Sequence, residues 1–592
     1  MPYSVRETIF MSSESLPPAA ARNRTEVFAV HGADPEILAF AMAKYSRSAL
    51  SMRESLAEIS SQRAEQFLNT FYFQYGHRSI ADLAHMGFAV ERLSLLAAIV
   101  LVDESRWDGQ ERSTRYQNFQ KSGWYIPDFG EDNASAGLYS QTIDNLFSAY
   151  QKVSGAVLEL LRQRVAKPES LKPEAYERTL RARAFDVARY LLPLATNTSL
   201  GQIVSARTLE TQVSRLLSHP NAEVRDLGAR LREAATGPAW NVNAEAAKAF
   251  VSKLAAEEKQ AAEDRGLGSQ AALLKEHEGA PTGNTSIEVL KGPDFSRAGN
   301  GAVSEGAIAL EGSLAAEAAA LFLRDVRTAP TLVKYAQPNE YLIRSRTDLA
   351  LSASELLKGL SVAPALVVDL VERTESLEVE LAATLLYSAS HHSYRAIRDV
   401  VASWPAARVT EIVELGLRHR GRHDEALRAF HAGAALRFDI LMDIGGFRDM
   451  HRHRRCTQII QGFTSAHGYE NPGSGDLPTE VDILAEAGVL GEYDSAIQSA
   501  HKAAATIAAG AAPEAPQSSA YLYPLATRIR ALFKMDFAEA QYISELRSAP
   551  AGHFSYRRIA WQMYLALQDR HPSLARHIRV TDFTKPIDIF QR

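Results

Sequence analysis

His451-Arg452-His453-Arg454-Arg455, leading into Cys456-Thr457-Gln458, is the densest run of functional groups in this 592-residue chain. In an extended segment alternate residues point the same way, so Arg452 and Arg454 would present two guanidinium groups on one side. Planar, permanently charged groups so placed suit a pyrophosphate, which accepts paired hydrogen bonds from them. A solvated basic loop or a His-x-His metal pair would give the same pentapeptide. Far upstream, Glu111-Arg112-Ser113-Thr114-Arg115-Tyr116 follows a strongly apolar stretch. A hydroxyl, neighbouring backbone N–H groups and an arginine together suit a phosphate monoester, although a simple turn fits that run equally well.

Outward from these two runs the chain repeats itself. Residues Ala41 to Ser46 resemble Ala382 to Ser388, and Gly76-His77-Arg78-Ser79 with Asp82 resembles Gly421 to Arg428. Arg112-Ser113-Thr114-Arg115 is matched to Arg455-Cys456-Thr457-Gln458, and Leu192-Pro193-Leu194-Ala195-Thr196 to Tyr523-Pro524-Leu525-Ala526-Thr527. Weak matches in one order point to a duplicated, diverged domain. The expected division is a first domain at 1–240, a linker or insertion at 241–330 and a second domain at 331–592. Residues 266–312, rich in Gly, Ser, Ala and Asn, mark the linker, and the Ala-rich 504–515 a lesser break. Helical signals dominate: Pro35 just inside a cap opens a stretch expected to run to Ile59, and another is expected over 181–232.

Composition narrows the function classes. A formal net charge of -5 argues against a general nucleic-acid binder. Cys456 is the single cysteine, so an intramolecular disulfide is excluded and a cysteine-based zinc site is not expected. No metal site is assigned. The longest apolar run, Leu95 to Val102, ends at Asp103-Glu104, well short of a membrane span. A cytoplasmic enzyme is the expectation.

Together the motifs resemble the flavin-dependent thymidylate synthases. That family's signature runs Arg-His-Arg, Ser, Asn-Glu and Ser-x-Arg-Tyr, after an upstream Gly-His-x-(Ser/Thr). Here it is split: the first half keeps Gly76-His77-Arg78-Ser79 and Glu111-x-Ser113-x-Arg115-Tyr116, but has Asp103-Glu104-Ser105 where Arg-His-Arg belongs. The second half keeps Arg452-His453-Arg454 and loses Ser-x-Arg-Tyr. The family's arginine before Leu-Pro is matched by Arg189, with Ala520 in the second half. Its Asn-Ala-Arg is matched by Ser205-Ala206-Arg207, against Asp536-Phe537-Ala538. Its final Leu-Arg is Leu546-Arg547, with Leu216 at the first-half position. The likeness covers roughly 26–237 and 372–583.

The resemblance implies an α+β, helix-rich fold with a small, mainly antiparallel sheet, built twice. It implies one composite site at which FAD, dUMP, methylenetetrahydrofolate and NADPH meet, with dUMP reductively methylated to dTMP. Glu111, Ser113, Thr114, Arg115, Arg189, Arg452 and Arg547 would bind substrate, with Arg454 and Arg547 stabilising charge on the pyrimidine. Ser46, His77, Ser79, Ser205, Arg207, Ser388, Arg452, His453 and Arg454 would contact the flavin. Asp103 and Glu104 would repel a pyrophosphate and leave the reciprocal site dead for flavin. A homodimer of the fused chain would imitate the family's tetramer. Two other readings are a flavoenzyme repurposed for another pyrimidine nucleotide and a non-catalytic nucleotide-binding scaffold.

Overall fold

The computed structural model describes residues 30, 32–44, 52–58, 80–115, 117–119, 122–264, 313–362, 366–371, 376–420, 427–430, 436–472, 480–510, 512, 514–575, 578–587 and 590. Ser46, His77, Ser79 and the 266–312 stretch lie outside them.

In the first half, strand β1 (His85–Ser94), a buried helix (Leu95–Leu101) and strand β2 (Asp108–Glu111) precede two helices, Asn133–Arg164 and Pro173–Ala188. Strand β3 (Asn197–Ser205) then leads into helices Ala206–Leu217 and Ala222–Thr236. In the second half, after a short β4 (Val368–Leu370), the order recurs. Strand β5 (Leu436–Asp443), helix Ile444–Met450 and β6 (Thr457–Ile460) precede helix Leu490–Ala508. Strand β7 (Arg528–Met535) is followed by helices Phe537–Ser548 and Phe554–Arg570. The sheets have order β1-β3-β2 and β4-β5-β7-β6, with antiparallel neighbours throughout. The fold is thus helix-rich α+β with one small antiparallel sheet in each half.

The strand β3 corrects the helix expected over 181–232. Pro193 cannot donate to a helical ladder, and beyond it Leu200, Gln202 and Val204 turn inward at period two. Of the helix expected to run to Ile59, Pro35–Lys44 and Met52–Glu58 are helical, and 45–51 and 59 lie outside the described residues. The break placed at 504–515 begins later, because Ala504 and Ile507 are buried within the Leu490–Ala508 helix.

The halves meet around a local two-fold axis. Leu194 N–H donates to the Tyr523 carbonyl and Leu525 N–H to the Leu192 carbonyl, both at 2.9 Å. One step out, Ala195 N–H donates to Tyr521 O (2.9 Å) and Ala526 N–H to Tyr190 O (3.1 Å). Pro193 faces Pro524 between these bonds, where the missing N–H groups sacrifice nothing. Long helices close over the axis. Tyr139, Ile143, Leu146, Tyr150, Val153 and Val157 form the buried stripe of one, Tyr493, Ile497, Ala500, Ala504 and Ile507 that of the other. They share one core.

The same register corrects one sequence match. Arg112 N–H bonds to Ser199 O as Gln461 N–H bonds to Arg530 O, so the structural counterpart of Arg112–Arg115 is 461–464. Gly462 therefore stands for Ser113 and Thr464 for Arg115. Among the described residues no helix is long and apolar enough to cross a membrane.

One sheet face of the second half carries buried charge among apolar side chains such as Leu532 and Ile459. Arg437, Asp439, Arg530 and Lys534 are buried there against the Leu377–Ser388 helix. Arg530 Nη1 donates to Asp439 Oδ2 (3.0 Å), which also accepts from Tyr394 N (2.7 Å), while Tyr387 Oη donates to Oδ1 (3.1 Å). Lys534 Nζ donates to Glu380 at 2.5 Å and to Thr384 Oγ1 at 2.6 Å. Removing one partner strands a buried charge, which is more costly than losing the pair. Asp439→Ala should therefore lower unfolding free energy by about 3–5 kcal/mol in a urea titration. A loss below about 1 kcal/mol would mean that this layer contributes little.

Candidate functional site

The two apolar helices after β1 and β5 set the site. Ser94 caps one by accepting from Ala97 N, and Asp443 caps the other by accepting from Gly446 N. Counted from these caps, Asp103 in the first half occupies the place of Arg452 in the second, and Glu104 that of His453. The divergence of the two sites starts here.

On one side of the molecule the halves bring arginines together. Arg189, in the turn after the Pro173–Ala188 helix, is almost fully buried. Its Nη1 donates to Thr114 Oγ1 (3.3 Å), and Nη1 and Nη2 both reach Asp449 Oδ2 of the second half (3.2 and 3.3 Å). Gly445 leaves room for it, since a Cβ there would meet Arg189 Nη2 at 3.4 Å. Arg115 makes a two-pronged pair with Asp186 (2.7 and 3.0 Å) and donates to Tyr556 Oη (3.2 Å) and Ala551 O (3.3 Å). Ser113 Oγ accepts from Arg115 N (3.2 Å), closing the loop on itself. Glu111 pairs with Arg448 across the two halves. Burial would raise the Asp449 carboxyl, but Arg189, Arg115, Arg452 and Arg448 more than offset that and hold it below the usual range.

The Arg-His-Arg segment is not extended, as the sequence suggests, but follows the Ile444–Met450 helix as consecutive turns. Both guanidiniums nevertheless face the first half. Arg452 Nη1 lies 3.4 Å from Gln110 Oε1, and Arg454 pairs with the exposed Asp108 at 2.8 Å while lying 4.9 Å above the Trp107 ring. His453 is buried, with Nε2 accepting from Arg547 Nε at 2.7 Å. That acceptor role puts its proton on Nδ1, facing Glu539 Oε1 at 3.5 Å. Burial first, then Arg547 and Arg454, lower its pKa against the pull of Glu539, so the ring is neutral at pH 7. Arg547 also lies 5.4 Å from the Tyr556 ring centre, which ties it to the Arg115 side.

The reciprocal side lacks this set. Gly462, Thr464, Ala520 and Leu216 stand where Ser113, Arg115, Arg189 and Arg547 stand. The expected repulsive pair is itself neutralised: Asp103 binds Arg428 of the other half and lies 3.2 Å from His451 Nε2, and Glu104 pairs with Arg215 at 2.8 Å. Burial works against the Asp103 charge, yet Arg428, His451 and Arg215 hold its pKa well down. At Glu104 burial wins over Arg215 and the pKa rises. This corner is a set of ion pairs, one between the halves and one within the first, rather than a bare negative patch.

Other expected flavin contacts are held in local structure. Ser205 Oγ caps its helix by accepting from Thr208 N, and Ser388 Oγ donates to Leu385 O. Arg207 pairs with Asp82 at 3.0 Å, and Asp82 with Arg106 at 3.2 Å, two residues before the Asp108 that meets Arg454. No hydrogen bond joins Ser205 or Ser388 to the Arg-His-Arg turn among the described residues.

Residues 27–237 and 369–573 match the family described as thymidylate synthase complementing protein. The chain belongs to that family. Similar chains include UPF0159 proteins of Chlamydia pneumoniae (26% identical, 95% of this chain and 92% of that one) and Chlamydia muridarum (25%, 93% and 91%). Another UPF0159 protein, from Thermoplasma acidophilum, is 23% identical over 91% of this chain and 94% of its own. Among solved structures, a flavin-dependent thymidylate synthase of Helicobacter pylori complexed with FAD and dUMP is 16% identical. It aligns over 34% of this chain and 89% of its own, at TM-score 0.23. The near-full coverage of the UPF0159 relatives means that they share the doubled length. The thymidylate synthase complementing protein match falls once in each half, in the two stretches that carry the repeated strand and helix order.

Sequence reading missed the acids that answer these arginines. Asp186 lies three residues before Arg189 inside a helix pattern, and Asp449 three residues before Arg452. Neither belongs to a motif; pairing across 71 and 260 residues became visible only in the fold. Cys456 is no nucleophile. Its Sγ donates to His453 O (3.0 Å), and burial pushes the thiol up to about 12. Alkylation of the folded protein by iodoacetamide at pH 8 should therefore proceed at the rate of global unfolding. Rapid modification would show that the thiol is exposed.

Proposed function

We propose that the chain is a flavin-dependent thymidylate synthase with one composite site per chain, which converts dUMP to dTMP. The methylene carbon would come from methylenetetrahydrofolate and the two reducing electrons from NADPH, giving dTMP, tetrahydrofolate and NADP+. The observation that carries this reading is the convergence of Thr114, Arg115 and Arg189 from one half with Arg448, Arg452 and Arg547 from the other, beside a reciprocal side stripped of the same groups.

FAD fits the donor set in one respect that geometry supports. Arg452 and Arg454 turn to the same strand edge, with weak or exposed partners, and a pyrophosphate there would gain charge-assisted bonds. Bound FAD would supply the redox and one-carbon chemistry. The protein would hold and orient. Arg115 and Arg189 would take the nucleotide phosphate, with Ser113 and Thr114 completing that end. Arg547, steered by neutral His453, and Arg454 would stabilise negative charge developing on the pyrimidine.

A second reading, a flavoenzyme acting on another pyrimidine nucleotide, is favoured by one feature: Asp186 and Asp449 already occupy the two arginines assigned to phosphate. Product analysis separates the two. For the first reading, Arg547→Ala and Ser113→Ala should each cut dTMP formation by roughly 100-fold or more, as expected for lost transition-state and phosphate contacts. Near-normal turnover in both variants would reject the composite site.

A further inference from the structure

Four arginines, Arg189, Arg115, Arg452 and Arg448, act on the Asp449 carboxylate, and two of them have incomplete hydrogen bonds. Arg189 Nε and Arg448 Nε are buried donors with no acceptor. Both Nη atoms of Arg189 converge on a single oxygen, Asp449 Oδ2, at 3.2 and 3.3 Å. Two guanidinium N–H groups closing on one oxygen is also the way such a fork holds an oxygen of a phosphate monoester. Arg189 cannot shed its proton, and at 1% exposure it must keep a counter-ion. Asp449 supplies that counter-ion from within the chain.

Resting on the phosphate role assigned above to Arg115 and Arg189, we propose that Asp449 is a specificity-determining residue. It stands on Arg189 where a ligand phosphate would stand, so a nucleotide enters by exchange with it. A dianionic phosphate and the Asp449 carboxylate compete for the same two N–H groups, and like charges at that separation repel in a poorly solvated site. The Asp186 pair is a different case. It lies within the first half and binds Arg115 through Nε and Nη2, leaving Nη1 directed to Tyr556 and Ala551. Asp186 thus orients Arg115, whereas Asp449 covers both terminal nitrogens of Arg189.

The device favours a ligand whose phosphate makes enough contacts, with Arg115, Arg448 and Arg452 together, to outweigh the lost internal pair. It disfavours small free anions, which meet fewer of them. A free nucleoside, with no phosphate, leaves the Arg189–Asp449 pair intact.

Calorimetric titration of the full-length protein with dUMP, deoxyuridine and inorganic phosphate tests this, using wild type, Asp449→Asn and Asp449→Ser. Both variants are first checked for native circular dichroism and melting temperature. The expected result is that both variants bind dUMP about tenfold or more tightly than wild type, since one buried like charge is removed. Inorganic phosphate should tighten as well, and deoxyuridine should change by less than about twofold. Equal or weaker dUMP binding in folded variants overturns the exchange while leaving the phosphate role standing. No binding of dUMP or phosphate by any of the three proteins overturns that role and this inference with it. Tightened phosphate binding without dUMP binding would support the exchange and reject dUMP as substrate.

Discussion

The exchange of four backbone hydrogen bonds between residues 190–195 and 521–526 fixes everything else in the structure. Those bonds lie at the local two-fold axis, with Pro193 against Pro524, and they decide which face of each half looks at the other. Because the strands run on directly from this junction as β3 and β7, each sheet inherits its place from it. The helices capped by Ser94 and Asp443 pack beside the same junction, where Leu95 and Ile444 donate to the Thr196 and Thr527 carbonyls. Residues nine positions beyond those caps then face the opposite half. A homodimer interface has to satisfy identical sequences on both sides. A fused pair does not, and this chain uses that freedom.

The freedom shows in the charges. At one crossing the first half contributes Arg115 and Arg189 and the second Arg448, Arg452 and Arg547. At the other, Asp103 and Glu104 have replaced Arg-His-Arg, and Arg428 and Arg215 answer them. At the second crossing Asp103 is tied to Arg428 of the other half, while Glu104 is answered by Arg215 from within its own half. The exchange also appears at the caps. Ser94 Oγ donates to Glu223 at 2.6 Å, and in the other half the acid is Asp443 and the hydroxyl Ser555. The acid and the hydroxyl have traded places while the bond between them persists.

Much of this was legible in the sequence where a motif is local. The Leu-Pro-Leu-Ala-Thr and Tyr-Pro-Leu-Ala-Thr runs are the junction itself, and Ser205-Ala206-Arg207 and Asp536-Phe537-Ala538 both open a helix. The loss of Arg189 and Arg547 counterparts at Ala520 and Leu216 was readable too. Strand β3 was not, because its alternation is masked by polar Thr198 and Gln202 at inward positions, by apolar Ile203 facing outward, and by helical patterns on either side. The Arg112–Arg115 match slipped because Arg455 mimics Arg112 in composition, while only the strand register identifies Gln461. Asp186 and Asp449 were invisible as partners since ion pairs between distant segments leave no spacing to count. Seen in the fold, they change what the arginines can do: a cluster that reads as an open anion site is one whose charges are already partly answered.

The claim that one crossing binds flavin and the other has become structural is tested most directly by flavin stoichiometry. Equilibrium dialysis of the full-length protein against FAD, read by visible absorption, gives the number bound per chain. The account predicts one FAD per chain, lost on Arg452→Ala combined with Arg454→Ala and unaffected by Arg428→Lys. Two per chain, or one that survives the double variant, would contradict it.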